Sequence, residues 1–155
     1  MCLPCWRRWI RRSRFNYQYP GLLVSANSPC RILVIDDESF VRAAVRMMLA
    51  FDGHIVETAQ NGQEALALFE KGKFDVVITD LAMPLMGGDE LAVAIKARDP
   101  KQPVVMITAY AETLGPSDHP PKGVDCVLSK PFLLEDLRRA IARVTSRTGV
   151  RAQGQ

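Results

Sequence analysis

From residue 31 onward the chain alternates short apolar runs with longer amphipathic stretches. The runs are Arg31–Ile35, His54–Thr58, Asp75–Thr79, Pro103–Ile107 and Cys126–Ser129. Between and after them lie stretches near 39–51, 62–71, 88–98, 111–119 and 133–147 with helical spacing of apolar positions. Strands alternating with helices predict an α/β protein whose right-handed crossovers build a parallel sheet. Ile32-Leu33-Val34-Ile35, Val76-Val77-Ile78 and Val104-Val105-Met106-Ile107 are apolar throughout. Strands covered by helices on both faces read this way, because neither face meets water.

Several boundaries are marked by local chemistry. Asn61 followed by Glu64 predicts a capping box, in which the Asn oxygen accepts a free helix N–H and the Glu reaches back. Gly53 and Gly72 stand where left-handed helix ends are expected. The last stretch places Leu134, Leu137, Ile141 and Val144 on one face, with Arg138, Arg139 and Arg143 off it. Met47, Met48, Met83 and Met86 read as core or rim packing. The fourth stretch is different. Gly115, Pro116, Pro120, Pro121 and Gly123 interrupt it, and proline removes a donor and clashes with the preceding turn. A shortened or irregular fourth helix is expected there.

The residues that end the strands carry the candidate chemistry. The first run ends in Asp36-Asp37, the third in Asp80, the fourth in Thr108 and the fifth in Lys130. In an open parallel sheet the functional crevice lies beyond the carboxyl ends of the strands. Three carboxylates gathered there repel one another and call for a counter-charge. Magnesium suits such oxygen donors, since it takes a few protein ligands and keeps several waters. Lys130 offers a compact positive charge for a phosphate, and Thr108 a rotatable hydroxyl donor. The set could therefore hold a phosphoryl group carried on a carboxylate. Read singly, each residue is ordinary: Asp36 and Asp37 as helix caps, Asp80 as a turn residue, Thr108 as a strand-end filler, Lys130 as a surface lysine.

Taken in order, Leu33-Val34-Ile35-Asp36-Asp37-Glu38, Asp80-Leu81-Ala82-Met83-Pro84-Leu85-Met86-Gly87-Gly88, Thr108-Ala109 and Lys130-Pro131-Phe132 resemble the response-regulator receiver family. The likeness covers about residues 31–147. It implies a doubly wound, flavodoxin-like, five-stranded parallel sheet in the order 2-1-3-4-5. It implies that Asp80 is phosphorylated, attacking a phosphohistidine, and that Thr108 and Lys130 contact the phosphoryl oxygens. It implies that Mg2+ is held by Asp36, Asp37, Asp80 and the Ala82 carbonyl, with Asp36 acting mainly through a metal-bound water. A cis Lys130–Pro131 bond also follows from the likeness. The expected partner is a sensor histidine kinase or histidine phosphotransfer protein, with the domain as a monomer or weak dimer. Such a protein catalyses its own phosphorylation and dephosphorylation and is not a turnover enzyme. Many receivers carry an aromatic ring three residues before the lysine. Here that position is Val127, stiff at χ1 and with no ring to swing.

Charge and cysteine content refine the picture. Residues 1–30 hold Arg7, Arg8, Arg11, Arg12 and Arg14 with no acid, and the remainder carries a net charge of −2. The body gives no reason to expect nucleic-acid binding. Three segments are expected: a basic, disordered extension over 1–29, a receiver domain over 30–148 and a tail over 149–155, with no output domain. Cys2, Cys5, Cys30 and Cys126 do not form a disulfide framework, and Cys2-x-x-Cys5 lacks a second pair for zinc. No run approaches the roughly 20 apolar residues a membrane span needs, so a cytoplasmic location is expected. Three other functions compete: a receiver-like scaffold or hybrid-kinase fragment, a small enzyme or flavin carrier on the same architecture, and a transcription factor. The second is disfavoured because Asp36-Asp37-Glu38 would repel a cofactor phosphate after the first strand. The third lacks a helix-turn-helix segment.

Overall fold

The computed structural model describes residues 29–110 and 120–148. Among the described residues the elements follow in the order β1 (Arg31–Ile35), α1 (Ser39–Phe51), β2 (Ile55–Ala59), α2 (Gly62–Leu68), β3 (Val76–Asp80), α3 (Gly88–Arg98), β4 (Val104–Thr108), β5 (Cys126–Ser129) and α4 (Leu134–Thr148). All neighbouring strands are parallel, in the order β2-β1-β3-β4-β5. This is the doubly wound, flavodoxin-like order expected. The segment 111–119, where the sequence predicts a broken helix, lies outside the described residues, as do 1–28 and 149–155.

Alternation along the strands splits the core between the two faces of the sheet. Ile32, Val34, Ile78, Val105 and Ile107 pack against Val45 and Leu49 of α1 and Leu137, Ile141 and Val144 of α4. Leu33, Ile35, Val77 and Met106 pack against Ala65 of α2 and Leu91, Ala92 and Ile95 of α3. β3 and β4 are buried along their whole length, which is why they read as unbroken apolar runs. The register pairs Ile35 with Thr79 and Asp80 with Ile107, so the strands finish at a common edge.

Three strands start one residue later than the apolar runs predict, because their first residues have other bonds to make. The His54 N–H goes back to the Leu49 carbonyl at 3.1 Å, and the Gly53 N–H to Ala50 at 3.0 Å. With Gly53 at φ 83°, these close α1 in a Schellman turn. Asp75 exchanges bonds with the Arg31 main chain, its N–H to Arg31 O and its Oδ2 from Arg31 N, both at 2.7 Å. Pro103 has no N–H to give. Gly72 has the expected left-handed φ of 78°, but in a turn, since α2 has already ended at Leu68. The capping box is also modified. Asn61 Oδ1 accepts the Glu64 N–H at 2.8 Å, while the Glu64 carboxylate accepts from Gln60 N at 3.0 Å, one residue earlier than predicted. Met48, Met83 and Met86 pack against the core, but Met47 is exposed on the outer face of α1. Among the described residues no helix is long and apolar enough to cross a membrane.

Candidate functional site

The sheet's carboxyl edge gathers polar side chains that the sequence holds far apart. Asp36 follows β1, Asp80 and Thr108 close β3 and β4, and Lys130 follows β5. Asp36, Asp80 and Thr108 are buried, at 5%, 7% and 1% exposure. Lys130 bridges the two acids: its Nζ donates to Asp80 Oδ1 at 2.7 Å and to Asp36 Oδ2 at 3.2 Å. The lysine's own backbone is anchored by its N–H, which donates to Thr108 O at 2.8 Å. The Lys130–Pro131 bond is cis.

The remaining carboxylate oxygens are taken up locally. Asp36 Oδ1 accepts the Glu38 N–H and Asp80 Oδ2 the Ala82 N–H, each at 2.8 Å. Thr108 Oγ1 accepts from Tyr110 N at 2.9 Å, which leaves its hydroxyl proton available as a donor. Asp37, by contrast, is exposed. Among the described residues no group of three or more His, Cys, Asp or Glu side chains stands as a site that could hold a metal ion. An ammonium joins Asp36 to Asp80, and Asp37 is exposed beside them in the chain. The donors are nonetheless carboxylate and carbonyl oxygens, the kind a hard divalent cation takes.

Electrostatics follow the geometry. Burial raises the Asp36 pKa, opposed by the Glu38 N–H and by the charge and hydrogen bond of Lys130, while the Asp80 charge adds to the rise. Burial works against the Lys130 ammonium. Its hydrogen bond to Asp80, the charges of both acids and the bond to Asp36 outweigh that penalty, so its pKa is raised. Lys130 is therefore a fixed cation at neutral pH.

Sequence reasoning missed three neighbours of this cluster. Arg42 of α1 donates from Nη1 to the Asp36 carbonyl at 2.5 Å. The buried Thr79 hydroxyl donates to the Asp80 carbonyl at 2.9 Å. Gly88 lies against that same carbonyl. The adjacent glycines Gly87-Gly88 at a helix start were the one available signal. Nothing in sequence marks Arg42 as a neighbour of Asp36, or shows that the Thr79 hydroxyl turns to the carbonyl of the residue after it. Val127 is half-buried against the α2–α3 face of the core, where an aliphatic side chain packs with no ring to turn.

The doubly wound sheet, in the order β2-β1-β3-β4-β5, agrees with what comparison with known proteins finds. The profile of the response regulator receiver domain matches residues 32–142. The response regulator MprA of Mycobacterium sp. (strain KMS) is 39% identical over 124 residues, 76% of this chain and 53% of that protein. The transcriptional regulatory protein TrcR of Mycobacterium tuberculosis is 34% identical over 120 residues, 77% of this chain and 47% of its own. Among solved structures, a response regulator receiver domain protein from Clostridium thermocellum aligns with a TM-score of 0.70 at 34% identity, covering 76% of this chain and 94% of that one. The response regulator TrrA of Thermotoga maritima, solved in complex with Mg(2+)-BeF, aligns with a TM-score of 0.66 at 33% identity, covering 74% and 97%. The chain belongs to the response regulator receiver domain family, the signalling module of two-component response regulators. It spans about half the length of the curated relatives it matches.

Proposed function

We propose that Asp80 accepts a phosphoryl group from the phosphohistidine of a sensor kinase or histidine phosphotransfer protein. The observation that carries this reading is the Lys130 ammonium, 2.7 Å from Asp80 Oδ1, in an edge where Asp80 is otherwise buried. A carboxylate oxygen of Asp80 attacks phosphorus in line with the leaving nitrogen. An O–P bond forms, the P–N bond breaks, and the electron pair returns to the imidazole. Charge gathers on the phosphoryl oxygens as this happens, so catalysis is mostly positioning and neutralisation. Lys130 supplies a fixed positive charge beside the attacking carboxylate, and the Thr108 hydroxyl proton can bond a phosphoryl oxygen.

Asp36, Asp37, Asp80 and the Ala82 carbonyl would hold Mg2+, which when bound neutralises charge on the acids and on the transferring group. The domain spans 30–148, and its output is contact with another protein or onward transfer of the phosphate. The Thermotoga relative was solved in complex with Mg(2+)-BeF, which is consistent with this reading. Amide spectra test it. Beryllofluoride with Mg2+ is expected to move the resonances around Asp80, Thr108 and Lys130, and to leave those of Asp80→Asn unmoved. Identical spectra with and without beryllofluoride in the unmodified protein would sink it.

A further inference from the structure

The geometry points to Gly88 and Thr79 as positioning residues that fix the main chain of Asp80; this rests on the phosphoacceptor reading above. Gly88 opens α3 and is buried. Its backbone φ is not in the left-handed region that only Gly53, Gly72 and Gly123 occupy among the described glycines. Conformational freedom is therefore not why a glycine stands there. The missing Cβ is the reason. A Cβ built at Gly88 would lie 2.0 Å from the Asp80 carbonyl oxygen and 2.9 Å from its carbonyl carbon. Both are backbone atoms at the end of a strand buried along its length, so neither can swing aside as a flexible side chain would.

The same carbonyl is held from a second direction. The Thr79 hydroxyl, wholly buried beneath the start of α3, donates to Asp80 O at 2.9 Å and would itself lie 3.1 Å from the added Cβ. The Gly88 N–H meanwhile donates to Leu81 O at 2.9 Å, tying the helix start to the residue after the acceptor. The Asp80 peptide is thus enclosed by its strand, the Thr79 hydroxyl and the first residue of α3. Its carboxylate is left aimed at Lys130. A methyl at Gly88 forces a displacement on the order of 1 Å, because ordinary contacts between carbon and oxygen lie near 3.3 Å or more. Misplacing a reacting group by that much can lower a rate about 100-fold.

Gly87 supplies the internal control. A Cβ there would meet the Asp89 carboxylate at 2.6 Å, the far end of a side chain that can move, and otherwise only Leu81 O at 3.4 Å. The test uses the full chain, acetyl phosphate and Mg2+, with phosphorylation followed by intact mass across donor concentrations. Circular dichroism verifies that each variant is folded at the assay temperature. Gly88→Ala is expected to lower the maximal rate about 100-fold, with the half-saturating donor concentration little changed. Gly87→Ala is expected to react as the unmodified protein does. Thr79→Val is expected to slow the reaction about tenfold, and Thr79→Ser, which keeps the hydroxyl, to restore it. A folded Gly88→Ala that reacts at the unmodified rate, or a Gly87→Ala that loses as much, overturns the proposal. If Gly88→Ala does not fold, the Thr79 pair decides: Val and Ser reacting alike overturns it. An unmodified chain that takes no phosphate instead contradicts the phosphoacceptor reading itself.

Discussion

Replacing Lys130 by Met keeps an unbranched side chain of similar reach and removes the charge. In the folded protein that charge bridges Asp80 and Asp36 at 2.7 and 3.2 Å, with both carboxylates at less than a tenth of their free exposure. Removing one partner of a buried ion pair costs about 3–5 kcal/mol, since the other charge is left buried and uncompensated. The Lys130 side chain is itself 21% exposed, so water reaches part of the vacated space. The lower end, about 3 kcal/mol, is expected at pH 7 in magnesium-free buffer. The dependence on pH has a definite sign. Burial already raises the Asp36 pKa, and losing Lys130 removes two of the effects that oppose the rise. A carboxyl with a raised pKa in the folded state contributes stability at low pH, lost as pH climbs through that value. Acidification lets Asp36 take up a proton and shed the repulsion from Asp80. The deficit of Lys130→Met should therefore shrink from pH 7 toward pH 4.5. Urea unfolding at a series of pH values measures it, with an unchanged slope showing that the same surface is exposed. A variant as stable as the parent at pH 7, or a deficit that grows on acidification, would refute the reasoning.

Asp36→Asn tests the same group from the other side. Asparagine never ionises, so the variant should be the more stable protein above the raised Asp36 pKa, with the advantage gone below about pH 4; thermal melts at pH 7 and pH 3.5 decide it. Arg138→Ala removes a fork that ties the end of α1 to α4, with Nε to Asp52 Oδ2 at 2.7 Å and Nη2 to Asp52 Oδ1 at 2.5 Å. Arg138 is partly exposed, so the loss at pH 7 should be about 1 kcal/mol by urea unfolding. The Arg138 hydrogen bond depresses the Asp52 pKa, so this contribution is present above the ordinary carboxylate range and fades as pH falls through the folded value. Leu137→Ala empties a wholly buried position between α4 and the sheet, and should lower stability by about 2–5 kcal/mol in the same assay.

Most of the fold is legible in the sequence because the strands are short, covered and apolar. Four residues such as Ile32-Leu33-Val34-Ile35 or Val104-Val105-Met106-Ile107 can only be buried on both faces. The site is legible for a related reason: the residues that break those runs, Asp36, Asp80, Thr108 and Lys130, must lie at one edge. What stayed hidden depends on contacts between distant segments. His54 and Asp75 read as strand residues until their bonds to Leu49 and Arg31 are seen. Met47 has the composition of a core residue, but α1 turns it outward. Asp37 is the same residue type as Asp36, yet only the chain's turn after β1 decides which of the two is buried against Lys130. Gly88 meets the Asp80 carbonyl through packing alone, the Thr79 hydroxyl turns to that same carbonyl of the next residue, and Leu85 adopts φ 70° in the loop that follows with no residue type to announce it.

Asp80 is the residue proposed to take the phosphoryl group. Incubation with acetyl phosphate and Mg2+, followed by intact mass and fragment mapping, tests this directly. The expected result is a single added phosphoryl group located on Asp80, absent from Asp80→Asn and strongly reduced in Lys130→Met. No adduct on the folded protein, or one that persists in Asp80→Asn, would contradict the account.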